Sequence, residues 1–555
     1  MNTLRDATVL VLGLGESGLA MARWCARAGA QVRVWDSRET ALREAELAEL
    51  LPSARRLRGP LAPAVLQGVT HVLKSPGLSP RDERIAPLLQ CARETGLPVL
   101  GELDLFISAL AALKAERAYA PQIVAVTGTN GKTTTTAMAA LLIARAGRRV
   151  VAAGNIGPTL LQTLAEVLDG QPTAAEAPAP TEARAATASE APAAAEPGAP
   201  VGQARDAMLP EVWVLELSSF QLDGVSGFEP HAATLLNITE DHLDWHGDLA
   251  AYTAAKARVF GAHAVMVLNR DDALVAALAP AAPVPVPVPV QRGRARAAAA
   301  VKPRKVVQFG LGAPRADGDF GLVMENDMAW LVRAQASDDA PRRRIAGDAE
   351  LADLHLQRLM PADALRVRGR HNAANALAAL ALATAIGCPL APMLHALREY
   401  EGEPHRVAHL GTIDGVDAFD DSKGTNVGAT VAALHGLGTD KAPAKLIVIL
   451  GGDGKGQDFG PLREPVQRHA RAIATIGRDA AAVEAALQGL DLPMQRHATL
   501  EAATRWCFEQ ARSGDAVLLS PACASLDMFR NYAHRAGVFA QEVREIAALR
   551  GAVLT

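Results

Sequence analysis

Residues 126–134 read Val-Thr-Gly-Thr-Asn-Gly-Lys-Thr-Thr, and this stretch decides the fold of the chain. The apolar run from Gln122 to Val126 before it predicts a buried strand, and the Ala- and Leu-rich run after it predicts a helix. A strand, a glycine turn and a helix that opens with Gly131-Lys132-Thr133 form a phosphate cradle, because backbone N–H groups and the helix dipole converge on an anion. The pattern therefore predicts ATP binding, with Lys132 on the terminal phosphates and Thr133 on Mg²⁺.

One position departs from the usual form of this loop. Val126 stands where the standard pattern has glycine, five residues before Gly131. A pair of turn-forming glycines before an ordinary helix is the alternative interpretation. The flanking strand and helix favour the phosphate loop, whose predicted contacts are Gly128, Thr129, Asn130, Gly131, Lys132, Thr133 and Thr134.

Length and composition narrow the class of protein. A chain of 555 residues predicts three or four domains. The net charge is −4 and there is no basic stripe, which argues against nucleic acid as a partner. Five scattered cysteines without CxxC spacing argue against disulfides and structural zinc and fit a cytoplasmic location. No apolar run reaches about eighteen residues and no signal peptide is evident, so we expect no membrane span.

The first unit, predicted over residues 1–120, opens with a strand at residues 7–15 followed by a helix. A second strand, from Gln31 to Trp35, ends at Asp36. A glycine turn spaced as G-x-G-x-x-G with such an acidic residue is a Rossmann fingerprint. Taken alone it suggests NAD, and tight packing of the strand against the helix is the other interpretation.

A later strand of the first unit runs from Thr70 to Lys74 and continues into Ser75-Pro76-Gly77. This turn lies at the carboxyl edge of the predicted sheet, where ligands of such folds bind.

The central unit, predicted over residues 121–396, is a P-loop ATPase-type α/β domain that carries the ATP loop and a strand from Val212 to Glu216. Two stretches near 171–210 and 281–305 are rich in Ala and Pro and contain no aromatic residue. Such segments bury too little apolar surface to offset their ordering entropy. Both are predicted to be disordered insertions.

The third unit, predicted over residues 397–555, is a second Rossmann-like, doubly wound parallel sheet. Strands at 445–450, 472–476 and 516–520 alternate with helices, and each ends in a polar or glycine-rich loop. Three α/β units in series, with loops gathered at strand ends, indicate an enzyme that closes around its substrates.

Polar residues of the central unit are candidates for chemistry. Glu216 ends a strand, where P-loop proteins commonly place a Mg²⁺ ligand, although a solvated carboxylate is an equal alternative. His242 lies in an acidic loop and suits a divalent ion, and an ordinary loop histidine is the alternative. Lys256 looks like a solvated helix lysine, and periodicity gives no reason to select it.

Further candidates lie near the boundary of the second and third units. Asn372 and Asn375 share one helix face and suit a base or a ribose, although helix capping explains either residue. Arg406 can clamp phosphates bidentately. Asp421 belongs to a cluster of hydrogen-bond donors and acceptors. A lone charged residue of this type usually lies on the surface, whereas a packed cluster at a domain junction less often does.

Taken together, these motifs resemble the Mur ligase family of peptidoglycan synthesis. The resemblance covers all three units outside the insertions and is carried by Val126–Thr134, Gly154–Gly157, Glu216–Gln221, Asn237–His242, His371–Asn375, Pro404–Arg406 and Asp421–Asn426. Within the family, Gly451–Lys455 with Ser520–Leu526 is similar to the D-glutamate-adding member. The Asp-Asn-Pro-Arg signature of the diaminopimelate-adding relative is absent.

The resemblance implies an ATP-dependent amide ligase that joins D-glutamate to UDP-N-acetylmuramoyl-L-alanine through an acyl phosphate. Another Mur-type ligase or a folylpolyglutamate synthase-like ligase is the nearer alternative, and a nucleotide-dependent scaffold without chemistry is the more distant one. A monomer is expected.

The resemblance also implies roles for individual residues. The first unit would hold the UDP moiety without nicotinamide, at Gly15, Glu16, Ser17, Asp36, Ser37, Arg38, Ser75 and Gly77. Thr133 and Glu216 would hold one Mg²⁺, and His242 would hold a second with Lys256 carbamylated by CO₂. The implied catalytic residues are Lys132, Glu216, His242 and Lys256. Nucleotide contacts are implied at Asn155, Asn372, Asn375, Arg406 and Asp421, and D-glutamate contacts at Thr425, Lys455, Ser525 and Tyr532. Relatives commonly have Phe at the last of these positions.

Overall fold

The computed structural model describes residues 4–155, 157–170, 209–280, 304–336, 354–367 and 369–552. The insertions predicted near 171–210 and 281–305 lie mostly outside the described residues. At their described edges the chain is packed: Leu209 is buried, and the Arg304 guanidinium donates to the carbonyl oxygen of Ala264 at 2.9 Å. None of the described helices is both long and apolar enough to cross a membrane.

The first sheet has five parallel strands, which are β1 (Thr8–Leu12), β2 (Gln31–Trp35), β3 (Arg55–Leu57), β4 (His71–Lys74) and β5 (Val99–Leu100). Its helices are α1 (Glu16–Arg27), α2 (Glu44–Leu50), α3 (Ala86–Glu94) and α4 (Glu102–Arg117), with a 3₁₀ turn at Pro63–Leu66. The order β3-β2-β1-β4-β5 places β1 between β2 and β4. The turns after these three strands therefore meet at one edge, and the predicted Rossmann-like fold is confirmed.

The central sheet has six parallel strands, which are β6 (Gln122–Thr127), β7 (Val150–Gly154), β8 (Val212–Glu216), β9 (Ala232–Leu235), β10 (Val265–Asn269) and β11 (Val306–Phe309). Its helices are α5 (Lys132–Arg145), α6 (Leu160–Asp169), α7 (Ser219–Leu222), α8 (Leu243–His246), α9 (Leu249–Ala257), α10 (Ala273–Ala276), α11 (Arg370–Ala385) and α12 (Leu390–Glu399). Two 3₁₀ turns complete this unit, at Arg258–Phe260 and Ala362–Ala364.

The order of the central strands is β11-β10-β9-β6-β8-β7. β6 pairs with β8 on one side and with β9 on the other. Because all these strands are parallel, the loops that follow β6, β8 and β9 emerge side by side at the carboxyl edge. This topology brings the phosphate loop, Glu216 and the acidic loop before α8 to one place.

A separate antiparallel sheet consists of β12 (Phe320–Glu325), β13 (Met328–Ala336) and β14 (Leu354–Pro361). Its apolar face packs on the alanine-rich α11 through Phe320, Leu331 and other core residues. The strands of this segment were not predicted from the sequence. The available signal was the pair Asn326-Asp327, whose φ values of 49° and 61° form the two-residue turn typical of a hairpin.

The last sheet has six strands, which are β15 (Ala408–Ile413), β16 (Val416–Asp420), β17 (Leu446–Gly451), β18 (Ala470–Ile476), β19 (Met494–Arg496) and β20 (Ala516–Leu519). Its helices are α13 (Val427–Lys441), α14 (Arg463–His469), α15 (Ala480–Leu487), α16 (Leu500–Gln510) and α17 (Tyr532–Leu549), with a 3₁₀ turn at Gly460–Leu462. The strand order is β15-β16-β20-β17-β18-β19.

The doubly wound arrangement of this sheet is confirmed, but the sheet is not wholly parallel as predicted. β15 pairs with β16 in an antiparallel hairpin. The physical reason is the turn Asp414-Gly415, where both residues have positive φ, at 52° and 77°. A two-residue turn of this kind reverses the chain directly, whereas a parallel pair needs a long crossover.

The first two sheets share a hydrophobic core. Phe106 on α4 meets the edge of Trp213 on β8, with ring centroids 5.0 Å apart. The Trp213 indole N–H donates to the Tyr119 hydroxyl at 2.8 Å, so its polar atom is satisfied although the ring is fully buried. This aromatic contact fixes the first unit on the central one.

We expect Phe106→Ala to destabilise the protein by about 3–5 kcal/mol, because it removes a fully buried ring and leaves a cavity. Urea unfolding followed by tryptophan fluorescence measures the change. Leu42→Ala is the control, since Leu42 is 77% exposed and its truncation should change the free energy of unfolding by less than about 0.5 kcal/mol. Equal effects of the two variants would contradict the interpretation.

Candidate active site

The phosphate loop spans residues 128–131 between β6 and α5. Gly128 and Gly131 have φ values of +153° and +82°, which residues with a Cβ atom rarely adopt. The far side of the loop is held by Asn237, whose side chain accepts from the Asn130 amide at 2.8 Å and donates to the Asn130 carbonyl at 3.1 Å. The Lys132 amine donates to the Gly128 carbonyl at 2.9 Å. The loop is therefore a preformed backbone cradle.

Glu216 lies at the end of β8 and is 1% exposed. Its Oε1 accepts from the Asn155 side-chain amide at 2.8 Å, while its Oε2 is buried without a hydrogen-bond partner. An unpaired buried carboxylate oxygen is costly unless a cation compensates it. Thr133, also buried, has its Oγ1 in contact with Nη2 of Arg406 at 2.5 Å. A carboxylate oxygen and a hydroxyl oxygen are donors that suit Mg²⁺.

Lys256 on α9 is buried, at 1% exposure. Its amine donates to the Gly128 carbonyl at 2.8 Å, the same oxygen that Lys132 uses, and it lies 4.8 Å from the centre of the Tyr252 ring. Burial, and then the charge of Lys132, hold the pKa of Lys256 well below its usual value. Burial thus favours the uncharged amine of Lys256, and the solvated helix lysine of the sequence pattern is wrong.

His242 precedes α8 with a φ of 55°. Burial lowers the pKa of His242 to about 4; the charge of Asp241 opposes this shift, and the charges of Lys455 and Lys132 reinforce it. The imidazole is therefore neutral near pH 7, which is the form that binds metals.

Asp241, the neighbour of His242, was not selected from the sequence. It is buried, and its Oδ1 has no hydrogen-bond partner but lies 3.8 Å from the amine of Lys455 in the third unit. The sequence signal was present, because Asp241 directly precedes the chosen histidine. Within the described residues, no group of three or more His, Cys, Asp or Glu side chains could hold a metal ion. A metal here would therefore also need hydroxyl, carbonyl or modified-lysine oxygens.

A cavity of about 310 Å³ lies between the central and third units. Most of the residues predicted to bind ATP line it, namely Asn130, Gly131, Thr134, Asn372, Asn375, Arg406 and Asp421. Asn375 donates to Asn372 at 3.2 Å, so the two amides do share one face as predicted. Asn155 lies apart from this cavity, beside Glu216.

Two residues on the far side of the junction have shifted pKa values. Asp421 accepts from the Ser520 hydroxyl at 2.6 Å, and burial raises its pKa to about 7. Lys423 was not selected from the sequence, yet burial followed by the charge of Arg406 lowers its pKa to about 8, and Glu216 opposes this shift. Lys423 therefore lies among the charged groups of the site.

The central and third units are also joined by a pair of side-chain amides. Asn130 donates to Asn426 at 3.2 Å, and Asn426 donates back at 3.0 Å. Asn426 caps α13 by accepting from the Ala429 amide at 2.9 Å. The phosphate loop is thus hydrogen-bonded to the start of a helix in another unit.

The residues predicted to hold the UDP moiety follow β1, β2 and β4, so all of them lie at the carboxyl edge of the first sheet: Gly15, Glu16, Ser17, Asp36, Ser37, Arg38, Ser75 and Gly77. Burial acts to raise the pKa of Asp36, but hydrogen bonds from Arg38 and the Leu14 amide outweigh it and lower the pKa to about 2. The Ser75 hydroxyl donates to the Gly13 carbonyl at 2.9 Å and ties two of the turns together.

The residues predicted to grip D-glutamate lie on loops after β16, β17 and β20 and at the start of α17. Asp453 and Ala524 exchange backbone hydrogen bonds of 3.0 and 2.8 Å, so the loops that bear Lys455 and Ser525 are paired. The Lys423 amine lies 5.2 Å from the centre of the Tyr532 ring. Thr425 is on the same loop as Lys423.

Three family models match: "Mur ligase MurD-like, N-terminal domain" over residues 7–101, "Mur ligase middle domain" over 126–302 and "Mur ligase, glutamate ligase domain" over 405–523. Relatives named UDP-N-acetylmuramoylalanine--D-glutamate ligase, from Burkholderia mallei (strain SAVP1) and Burkholderia pseudomallei (strain K96243), are each 55% identical over 553 residues, with 98% of both chains covered. The chain belongs to the Mur ligase family.

Solved structures show the same fold for this Mur ligase. The UDP-N-acetylmuramate-alanine ligase MurC from Thermotoga maritima aligns with a TM-score of 0.53 at 18% identity, covering 97% of this chain and 99% of that one. MurF from Acinetobacter baumannii aligns with a TM-score of 0.52 at 16% identity, covering 97% and 90%. At these identities the likeness concerns the fold alone.

We expect Gly131→Ala to weaken ADP binding at least tenfold, because a Cβ there would lie 2.6 Å from the Asn375 Oδ1 and would distort the cradle. Titration calorimetry with ADP measures the affinity. Gly147→Ala is a matched control, since its φ of +84° is nearly the same as the +82° of Gly131, but no atom lies within 4 Å of the added Cβ. Equal weakening in both variants would show that backbone strain alone, and not the contact with Asn375, is responsible.

Proposed function

We propose that this Mur ligase joins the amine of D-glutamate to the alanyl carboxylate of UDP-N-acetylmuramoyl-L-alanine and hydrolyses ATP to ADP and phosphate. The observation that carries the proposal is the 55% identity, over 98% of both chains, to relatives whose name states the ligation of these two substrates. The geometry of the site supports the proposal. Lys132 belongs to the phosphate cradle, Glu216 has a buried carboxylate oxygen without a hydrogen-bond partner, and Lys455 reaches Asp241 from a loop of the third unit.

The reaction needs an activated acid, because a free carboxylate has no good leaving group. A carboxylate oxygen of the alanyl group attacks the γ-phosphorus of ATP, the bond to the bridging oxygen breaks, and ADP leaves. The D-glutamate amine then attacks the acyl carbon, inorganic phosphate leaves and the amine loses its proton. Lys132 and Arg406 offset the negative charge on the phosphates, and the close-packed cradle fixes the reactants, which together contribute several kcal/mol to the lowering of the barrier.

Thr133 and Glu216 would hold the Mg²⁺ that accompanies the nucleotide, and the buried, unpaired Oε2 of Glu216 fits that role. Neutral His242 and a modified Lys256 would hold the second Mg²⁺. When bound, the ions neutralise phosphate charge and orient the phosphoryl group. Asn155 keeps the Glu216 carboxylate in place through its 2.8 Å hydrogen bond.

The modification proposed for Lys256 is a carbamate. The unprotonated amine nitrogen attacks the carbon of CO₂, forms an N–C bond and loses one proton, which leaves an anionic group with two oxygen atoms. The depressed pKa supports this step, since an ammonium group has no lone pair with which to attack. The product replaces a nitrogen donor by the oxygen donors that Mg²⁺ prefers.

Recognition of D-glutamate is assigned to the third unit. Lys455 and Ser525 lie on the paired loops, and Thr425 lies on the loop after β16. An ammonium and two hydroxyl groups suit the two carboxylates of this amino acid. Tyr532 would border the site.

We expect phosphate release from ATP, Mg²⁺ and UDP-N-acetylmuramoyl-L-alanine to depend on D-glutamate and to be at least a hundredfold slower with L-alanine or diaminopimelate. L-Alanine lacks the second carboxylate that the cationic pocket would bind, and diaminopimelate has a longer chain and a second ammonium group that Lys455 would repel. Coupled ADP detection and mass spectrometry of the product measure it. Transfer of ¹⁸O from the labelled alanyl carboxylate into phosphate tests the acyl phosphate. Preference for another amino acid would indicate a different Mur-type ligase, and no turnover with any of them would favour the scaffold alternative.

We expect Lys256→Ala to lower turnover at least a thousandfold while the protein stays folded, because the second metal loses its oxygen ligands. Acetate should restore part of the activity, and a ¹³C NMR carbamate signal from ¹³C-bicarbonate should disappear. Lys114→Ala, which removes an exposed helix lysine, is the control and should retain both activity and signal. An active Lys256→Ala enzyme would exclude the carbamate from the mechanism.

A further inference from the structure

Glu102 is a buried carboxylate that the mechanism above does not use. It is the first residue of α4, directly after β5 and Gly101, and it is 2% exposed. Burial raises its pKa, and backbone or hydroxyl donors oppose that shift. A buried carboxyl group in the first unit, close to the turn predicted for the UDP moiety, calls for a structural explanation.

The hydrogen-bond donor nearest to Oε1 of Glu102 belongs to a different unit. Its Oε1 accepts from the Leu161 amide in the first turn of α6 at 2.9 Å, across 59 residues of sequence. Thr159 occupies the N-cap position of α6, but its side chain makes no capping hydrogen bond. Glu102 therefore supplies the side-chain oxygen cap that the N-terminus of this helix lacks.

The same carboxylate also faces the first unit's ligand turn. The side chains of Ser17 and Thr159 both stabilise its charged form, after the larger contribution of the Leu161 amide. Ser17 is on the first turn of α1, among the residues predicted to hold the UDP moiety. Glu102 thus lies between the turn of the first sheet and the helix of the central sheet, and its Oε2 is buried without a partner of hydrogen-bond geometry.

A short loop connects the capped helix end to Glu216. The Gly154 amide donates to the Pro158 carbonyl at 3.2 Å, and the Asn155 amide donates to the Glu216 carbonyl at 2.8 Å. A Cβ at Gly154 would lie only 2.2 Å from that carbonyl oxygen, so the loop is pressed against β8. The Asn155 side chain then holds Oε1 of Glu216. Movement of the α6 N-terminus would therefore move the Asn155–Glu216 pair.

We propose that Glu102 is a positioning residue that couples the UDP-binding turn of the first unit to the Asn155–Glu216 pair of the phosphoryl-transfer site. By capping α6 and facing Ser17, it fixes the distance between the bound UDP substrate and the end of β8. The alanyl carboxylate is then aligned with the γ-phosphate only while this contact is intact. This inference rests on the proposed function for its effect on turnover, but the contact itself is testable without it.

The first test compares turnover of Glu102→Ala, Glu102→Gln and the wild-type protein. Loss of the contact should lower kcat about a hundredfold in Glu102→Ala, the scale expected for a misplacement of about 1 Å, with KM values for ATP and D-glutamate within about threefold. Glutamine keeps an oxygen acceptor for the Leu161 amide, so Glu102→Gln should recover kcat to within about threefold of wild type. Glu166→Gln is the matched control and should leave kcat unchanged, since within the described residues this half-buried carboxylate of α6 accepts only from the Gln162 side chain of its own helix, at 2.9 Å.

The second test reads the contact directly by hydrogen–deuterium exchange of the unliganded protein. Exchange at the Leu161 amide should accelerate at least tenfold in Glu102→Ala and remain slow in Glu102→Gln and Glu166→Gln. Unchanged exchange at Leu161, or wild-type kcat in a folded Glu102→Ala enzyme, would overturn the proposal. A parallel rise of all KM values with loss of thermal stability would also overturn it, because it indicates a general structural role.

The two tests separate this inference from the proposed function. If the wild-type protein forms no amide from D-glutamate, the proposed function fails, while the exchange rates still decide whether Glu102 caps α6. If the wild-type protein is active and the Leu161 exchange is unaffected, only the coupling role of Glu102 fails.

Discussion

Two lysine amines share one backbone oxygen, and this constraint shapes the site. Lys132 and Lys256 both donate to the Gly128 carbonyl, at 2.9 and 2.8 Å. Two ammonium groups this close repel each other, and burial removes the solvent that would screen them. Burial lowers the pKa values of both amines, and the charge of Lys132 lowers that of Lys256 further. The fold thereby favours the uncharged amine at Lys256, which the carbamate proposed for this residue requires.

The topology of the three sheets explains how residues so distant in sequence meet. In the central sheet, β6 lies between β8 and β9, which places the phosphate loop between Glu216 and the Asp241-His242 pair. The third unit adds charges from the opposite side, with Arg406 on Thr133 and Lys455 near Asp241. Each unit contributes the carboxyl edge of a largely parallel sheet, the edge at which α/β folds bind ligands.

The sequence predicted the parts of the fold that depend on local pattern. β2 and β8 have the predicted bounds, because apolar runs ended by Asp36 and Glu216 leave little ambiguity. The small antiparallel sheet was not predicted, since it packs only one face on α11. The antiparallel β15–β16 hairpin was missed although Asp414-Gly415 is a strong turn signal.

The site was predictable to a different degree. Lys132 follows from its loop, whereas Lys256 was reached only through the family resemblance, since a helix lysine carries no pattern of its own. Asp241 and Lys423 gain their significance from burial and from charges contributed by other units. Such convergence is a property of the folded chain, and no spacing in the sequence encodes it.

The reciprocal amide pair of Asn130 and Asn426, 296 residues apart, has a practical consequence for chimeric ligases. A chimera made by exchanging whole C-terminal segments would keep this junction only if both parent enzymes have asparagine at the corresponding position. The two positions must therefore be chosen together when such a chimera is designed.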